Sequence, residues 1–184
     1  MPTARESLLD AASAALGDRP WTAVRMVEVA AAAGVSRQTL YNEFHSKDGL
    51  ARALVRREAD TYVTGVEEAL AASARDGGDA GDRCAAAAAW TLRSARGSPL
   101  IRGALTGQRP QRPAVPDLAE ALRTRTVDAV LRGFPRLRRD TVVWACDAAV
   151  RLTVSYVMRP AASDEDACRR VGQLLRSLLS RSAG

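Results

Sequence analysis

The run VAAAAGVSRQTLYNEFHSK, residues 29–47, constrains this chain more than any other stretch. It reads as two short helices around a tight turn. The small residues at 30–33 let a neighbouring helix approach closely. Gly34 is free to take the left-handed conformation that ends a helix. Ser36 caps the next helix, its hydroxyl accepting from an amide two or three residues on. That second helix, residues 37–44, turns Leu40 and Phe44 inward at i, i+4 spacing, with Val29 and Val35 completing a small core. Arg37, Gln38, Thr39, Tyr41 and Asn42 are left facing out. Helix, Gly-containing turn and capped polar helix is the helix-turn-helix plan, whose second helix enters the DNA major groove.

At these residues the chain resembles the TetR family of bacterial transcriptional regulators. The family signature runs Ile-Ala-x-x-Ala-Gly-Val-Ser-x-x-Thr-Leu-Tyr-x-x-Phe-x-x-Lys. The matching positions here are Val29, Ala30, Ala33, Gly34, Val35, Ser36, Thr39, Leu40, Tyr41, Phe44 and Lys47, with valine for isoleucine the one substitution. The likeness extends over residues 4–55. Two positions depart from the pattern. Glu43 stands where many members carry a histidine close to the DNA backbone, and a carboxylate facing phosphate would repel it. Arg25 stands where Ser or Thr usually opens the first motif helix, giving up a side-chain cap and offering a phosphate partner.

The resemblance implies a DNA-contacting set of Arg25, Ser36, Arg37, Gln38, Thr39, Tyr41, Asn42, His45 and Lys47. Arginine reads guanine bidentately, and Gln or Asn reads adenine. Tyr41 and Lys47 would hold phosphates, positioning the protein without reading sequence. The longer run QTLYNEFHSKDGLARALVRREAD is also similar to an actinobacterial subgroup associated with alkane or fatty-acid oxidation genes.

Composition narrows the class without naming it. The formal charge of +6 favours polyanion partners. Residues 1–57, however, carry eight basic and six acidic side chains, so the motif and not a basic patch points to DNA. Lys47 is the only lysine among 27 basic residues, a bias that fits a GC-rich genome. Cys84, Cys146 and Cys168 are widely spaced with no CxxC pair, as expected in a reducing cytosol. No stretch approaches the ~20 apolar residues that span a bilayer, and the N-terminus has no hydrophobic targeting core. A cytoplasmic protein with no membrane association is expected. His45 is the only histidine. With no ligand-spaced cysteine or acidic cluster, no phosphate loop and no nucleophile elbow, neither a metal, a cofactor nor an enzymatic function is expected.

The apolar spacing is helical nearly throughout, predicting an all-α fold of about nine helices. Thr3 caps a first helix with Leu8, Leu9, Ala12 and Leu16 on its inner face, and Trp21 and Val24 pack the connection to the second. Ser46 caps a long fourth helix from Lys47 to about Ala74, which the DGGDAGD stretch breaks. Helices are then expected over 82–96, from Pro99, and over 117–132, 138–158 and 163–180, with a proline-containing loop at 107–116. The domain reading is a helix-turn-helix domain over 1–46 and a larger helical domain over 47–184.

The last two helices carry wide apolar stripes that core packing of one chain satisfies only in part. In the family this pair forms a four-helix interface with a second copy. The resemblance therefore implies a homodimer using Val143, Val150, Val157, Val171, Leu174 and Leu178. It also implies a pocket for a small effector, with Tyr62, Val66, Trp90, Leu105, Leu122, Trp144 and Leu152 as candidate lining. That set is apolar, suiting a hydrophobic effector such as an acyl chain or an alkane better than a sugar or nucleotide. The function expected is a ligand-responsive repressor of a palindromic double-stranded DNA operator. Two alternatives stay open: a thiol-responsive regulator using one of the cysteines, and a helical interaction protein without DNA recognition, for which Glu43 is the warning sign.

Overall fold

The computed structural model describes residues 2–107 and 117–181, and within them the chain forms nine α-helices, one 3-10 turn and no strand. Of the loop expected at 107–116, all but Gly107 lies outside the described residues. Gly107 closes its helix with a φ of 70°.

The described residues separate into two compact units, 2–58 and 59–107 with 117–181. The division falls inside the long helix α4 (Lys47–Arg75) and not at its start, where the domain reading put it. The reason is packing. The first turns of α4 bury Leu50, Ala51, Leu54 and Val55, and Arg57 and Glu58 bond back to Asp10 and Ser13 at 2.6 and 3.2 Å.

The first unit also contains α1 (Ala4–Asp18), a 3-10 turn (Trp21–Ala23), α2 (Met26–Ala32) and α3 (Arg37–Phe44). Thr3 and Glu6 cap α1 reciprocally, each side chain accepting from the other's backbone amide. Leu8, Leu9, Ala12, Val24, Val29, Ala30, Leu40 and Phe44 fill the interior. Burial of each of the larger side chains is worth roughly 1.5–3 kcal/mol.

The second unit holds the remainder of α4 with α5 (Ala80–Gly97), α6 (Pro99–Thr106), α7 (Leu118–Gly133), α8 (Arg139–Met158) and α9 (Asp164–Ser180). Helix α5 is the hub, packed on α6, α7, α8 and α9. It starts two residues before its expected position because Asp79 and Asp82 form a capping box. At the α5–α9 crossing a Cβ on Gly81 would lie 2.7 Å from the Gly172 carbonyl, so the two backbones meet where neither has a side chain. Arg176 seals the crossing by bonding both Asp79 and Asp82, and that bond holds the Asp79 carboxyl below the usual carboxylate range.

A second glycine contact joins α4 to α5. A Cβ on Gly65 would overlap the Trp90 ring, whose indole N–H donates to the Tyr62 carbonyl at 3.0 Å. The Tyr62 hydroxyl meets Thr91 at 3.0 Å, and Thr91 donates its single proton to the Ala87 carbonyl, so Tyr62 must be the donor to Thr91. Burial raises the Tyr62 phenol far above its ordinary pKa and keeps it neutral.

Two apolar clusters result. Tyr62, Val66, Leu105 and Leu122 share one, with Trp90 packed against it, whereas Leu152 packs against the other, around Val142, Cys146 and Val171. Trp144 belongs to neither: it is 59% exposed on α8, so as a lining residue of an interior pocket it is corrected. Two members of the expected dimer surface are corrected as well. Val150 and Val171 are buried within the chain's own core, because α8 and α9 pack directly on each other and on α5. Val143, Val157, Leu174 and Leu178 remain half-buried. Helix α8, 20 residues long with a mean hydropathy of 1.2 in its most apolar window, is long and apolar enough to cross a bilayer, which the sequence did not lead us to expect. It nevertheless packs as a core helix and carries an Arg151–Asp147 ion pair at 2.7 Å.

Gly65→Ala tests the α4–α5 contact. Overpacking costs about 1–3 kcal/mol, which the ~1 kcal/mol helix-propensity gain of alanine offsets only in part. A net loss of stability is expected, read as a lower urea midpoint. Gly97→Ala, where a Cβ meets nothing within 4 Å, is expected to be neutral or stabilising.

Candidate nucleic-acid interface

Helix α3 presents its polar face because its apolar one is committed. Leu40 and Phe44 are buried, while Arg37, Gln38, Asn42 and Glu43 are exposed and Thr39 and Tyr41 half-buried. The turn before it forms as its residues dictate. Gly34 takes a φ of 68°, and the Ser36 hydroxyl accepts from the Thr39 amide at 3.0 Å. Ser36 also bonds the Thr39 hydroxyl at 2.8 Å, so both serve the cap. Gln38 donates to the Asn42 side-chain oxygen at 2.9 Å, orienting two amides on adjacent turns of one face. The Arg37 guanidinium lies 5.4 Å from the Tyr41 ring centroid. The exposed edge of α3 thus offers an arginine fork and two primary amides, the groups that pair bidentately with guanine and adenine.

The corner that follows is unusually tight. His45 has φ 61° and ψ −32°, and the Ser46 amide donates to the Phe44 carbonyl across it at 2.7 Å, which makes a γ-turn with a positive-φ centre. Ser46 then caps α4 by accepting from the Gly49 amide at 3.0 Å. A Cβ on Gly49 would overlap the Phe44 carbonyl oxygen. His45 is exposed on this corner.

Lys47 is placed differently from a freely extended phosphate ligand. Its ammonium donates to the Thr22 and Val24 carbonyls at 3.2 and 2.5 Å and lies 5.6 Å from the Trp21 ring centroid. Two of its three N–H groups therefore hold the start of α4 to the turn entering α2. Arg25 at the start of α2 makes no side-chain cap, and its nearest acid is Glu28 at 3.9 Å. The Glu43 carboxylate is not left facing outward alone, since Arg5 of α1 pairs with it at 3.4 Å.

The comparisons agree with this geometry. Residues 8–54 match the bacterial regulatory proteins of the tetR family, and residues 79–177 match the bacterial tetracyclin repressor C-terminal domain. The chain is 34% identical to the HTH-type transcriptional regulator AlkX of Mycobacterium tuberculosis, over 96% of this chain and 85% of that protein. The chain belongs to the TetR family. Among solved structures, a tetR-family transcriptional regulator from Streptomyces coelicolor superposes with a TM-score of 0.69 at 17% identity, covering 100% of this chain and 84% of that one. The TetR family repressor AlkX from Dietzia sp. strain DQ12-45-1b, implicated in biodegradation of n-alkanes, gives 0.59 at 23% identity, covering 96% and 95%. As a TetR-family member the chain is a ligand-responsive DNA-binding transcriptional regulator, not an enzyme.

The second unit assembles part of the expected effector set. Tyr62, Val66, Trp90, Leu105 and Leu122 come together, and Leu152 and Trp144 lie elsewhere. A groove of about 670 Å³ along α4, α5 and α7 contains none of the seven and is lined instead by Glu67, Arg83, Arg125, Asp128 and Arg132 among others. The thiols are poorly suited to sensing. Burial raises the pKa of both Cys84 and Cys146, the latter to about 12, and raises that of half-buried Cys168 as well. The reactive thiolate is thus scarce at neutral pH.

Sequence reasoning passed over Arg5, Gly49 and the carbonyls of Thr22 and Val24. Their partners are up to 38 residues away, and helical periodicity says nothing about such contacts. For Lys47→Met, which keeps the apolar stem over Trp21 and removes both carbonyl bonds, a destabilisation of about 1.5–3 kcal/mol is expected from urea unfolding. Amide exchange should rise in the segment 21–26. Unchanged exchange there would show that the ammonium holds nothing.

Proposed function

We propose that this TetR-family regulator is a cytoplasmic homodimeric repressor that reads a palindromic operator and leaves it when a small apolar effector binds. The observation that carries the DNA half is the outer edge of α3, where Arg37, Gln38 and Asn42 are exposed over the buried pair Leu40 and Phe44. Arg37, Gln38 and Asn42 read bases. Tyr41, Arg25, His45 and the remaining N–H of Lys47 hold phosphates, and Ser36 and Thr39 act through the cap. Two copies related by a two-fold axis place their α3 helices about one DNA turn apart, roughly 34 Å.

The dimer surface in this reading lies on α8 and α9. It uses Val143, Val157, Leu174 and Leu178, with exposed Trp144 transferred to it from the effector set. A large exposed aromatic is the residue type that anchors interfaces. The effector reading rests on the cluster of Tyr62, Val66, Trp90, Leu105 and Leu122, whose polar groups, the Tyr62 hydroxyl and the Trp90 indole N–H, are both satisfied internally. The similarity to AlkX, whose Dietzia counterpart is implicated in n-alkane biodegradation, points to alkane- or acyl-chain effectors.

Fluorescence anisotropy on DNA from upstream of the protein's own gene tests the reading, with scrambled DNA as control and alkanes, fatty acids and acyl-CoA as ligands. Selective binding by two chains per site is expected, with release by one apolar class. An operator complex untouched by the whole panel would remove the apolar effector. Failure to enrich any sequence from random DNA would remove the base-reading role of α3.

A further inference from the structure

We infer that Arg5 and Glu43 form a charge-cancelling pair beside the recognition helix that suppresses sequence-independent DNA binding and so sharpens operator selection. The inference rests on the reading that α3 faces DNA. Glu43 is in the last turn of α3, on the flank it shares with Thr39 and next to the base-reading edge. The Arg5 side chain reaches it from the first turn of α1. One guanidinium N–H meets the Glu43 carboxylate at 3.4 Å and the Glu43 main-chain carbonyl at 3.3 Å. The same guanidinium sits over the Phe44 ring, 4.6 Å from its centroid.

The carboxylate is not needed for what Arg5 does structurally. The carbonyl bond satisfies one of the last unpaired carbonyls of α3, and the ring contact covers Phe44. Both survive without charge on residue 43. An exposed ion pair such as this one, with side chains 49% and 37% accessible, contributes little stability. Its consequence is electrostatic. An uncompensated arginine at this flank would attract backbone phosphate on any sequence, and Glu43 cancels it. Since phosphate contacts dominate non-specific affinity while base contacts specify, removing one general attraction per subunit lowers background binding and leaves base reading intact.

Glu43→Gln isolates the charge, because glutamine keeps the side-chain shape and leaves the carbonyl bond and ring contact in place. The full chain is titrated onto operator and scrambled DNA over a range of salt, with Asp10→Asn as control. Asp10 pairs with Arg57 in the same unit, so that variant makes the same change in net charge at a pair outside α3. Glu43→Gln is expected to tighten binding to scrambled DNA by about tenfold at low salt and to operator by clearly less, so that the ratio between them falls. The log–log salt slope should steepen by about 0.9 per subunit. Asp10→Asn should do little. Arg5→Gln should weaken binding, and the double variant should return near wild type.

Equal gains from Glu43→Gln and Asp10→Asn would overturn the pair in favour of net charge alone. Loss of operator binding with scrambled DNA unchanged would overturn it too, making Glu43 a base reader. A double variant as tight as Glu43→Gln would remove Arg5 from the account. Where Arg5→Gln fails to fold, the Glu43 and Asp10 variants decide the matter by themselves. If the wild-type chain shows no preference for operator over scrambled DNA, the DNA-facing role of α3 falls together with the inference. An unchanged Glu43→Gln on a selective wild type overturns the inference alone.

Discussion

The position of α3 depends on Phe44 more than on any other residue. Its ring is buried against the first unit's core and covered by the Arg5 guanidinium. Its carbonyl closes the γ-turn with Ser46 and occupies the space that a Gly49 side chain would take. Ring and carbonyl together fix where α3 ends and where α4 begins. The positive φ of His45 between them is a strained conformation for a non-glycine residue, and the contacts on either side hold it. Lys47 extends the same corner to the entrance of α2 through Thr22 and Val24. Helices α2, α3 and α4 are thereby referred to one turn. Small changes at the start of α4 consequently bear on the exposed edge of α3.

Much of this was legible from residue types. Thr3, Ser36 and Ser46 all cap where expected, because a hydroxyl before an apolar-periodic run has an amide to accept from. Gly34 takes the left-handed turn between α2 and α3, and Leu40 and Phe44 are buried as their spacing requires. What escaped were contacts between elements. The apolar stripes of α8 and α9 gave no means of telling which residues face the chain's own core, so Val150 and Val171 were set on a partner surface. Trp144 was placed in the effector lining by the family resemblance, yet its position on α8 faces outward. Glycines within helices carried no sequence signal at all. Gly65 under Trp90 and Gly81 against Gly172 show their purpose only when the neighbouring helix is present.

Several of the first unit's cations are committed within the chain. Arg19 pairs with Glu28 at 2.6 Å, Arg57 with Asp10 at 2.6 Å and Arg5 with Glu43. Lys47 is held by carbonyls. Arg25, Arg37, Arg52 and Arg56 remain exposed on the same unit. Weak background attraction makes a regulator depend on its operator, since competing sites in a genome are discriminated by the specificity ratio and not by the dissociation constant alone.

The effector proposed above would have a lower bound on its size. Helix α4 begins at the α3 corner with Lys47 and contributes Tyr62, Val66 and Leu70 to the apolar cluster of the second unit, so one helix belongs to both units. Linkage requires that an effector which weakens DNA binding be weakened equally by DNA. Turning a population from almost wholly bound-competent to almost wholly released takes roughly 5.5 kcal/mol of differential affinity. At about 0.8 kcal/mol per buried methylene, an apolar chain seated in only one of the two states needs some seven carbons to supply it. A medium-length hydrocarbon chain meets that requirement through burial alone, without any charged contact. A two-carbon fragment does not, however well it fits. Were the apolar cluster the effector site proposed above, its polar groups being satisfied internally, chain length would be the quantity that sets how far the equilibrium moves.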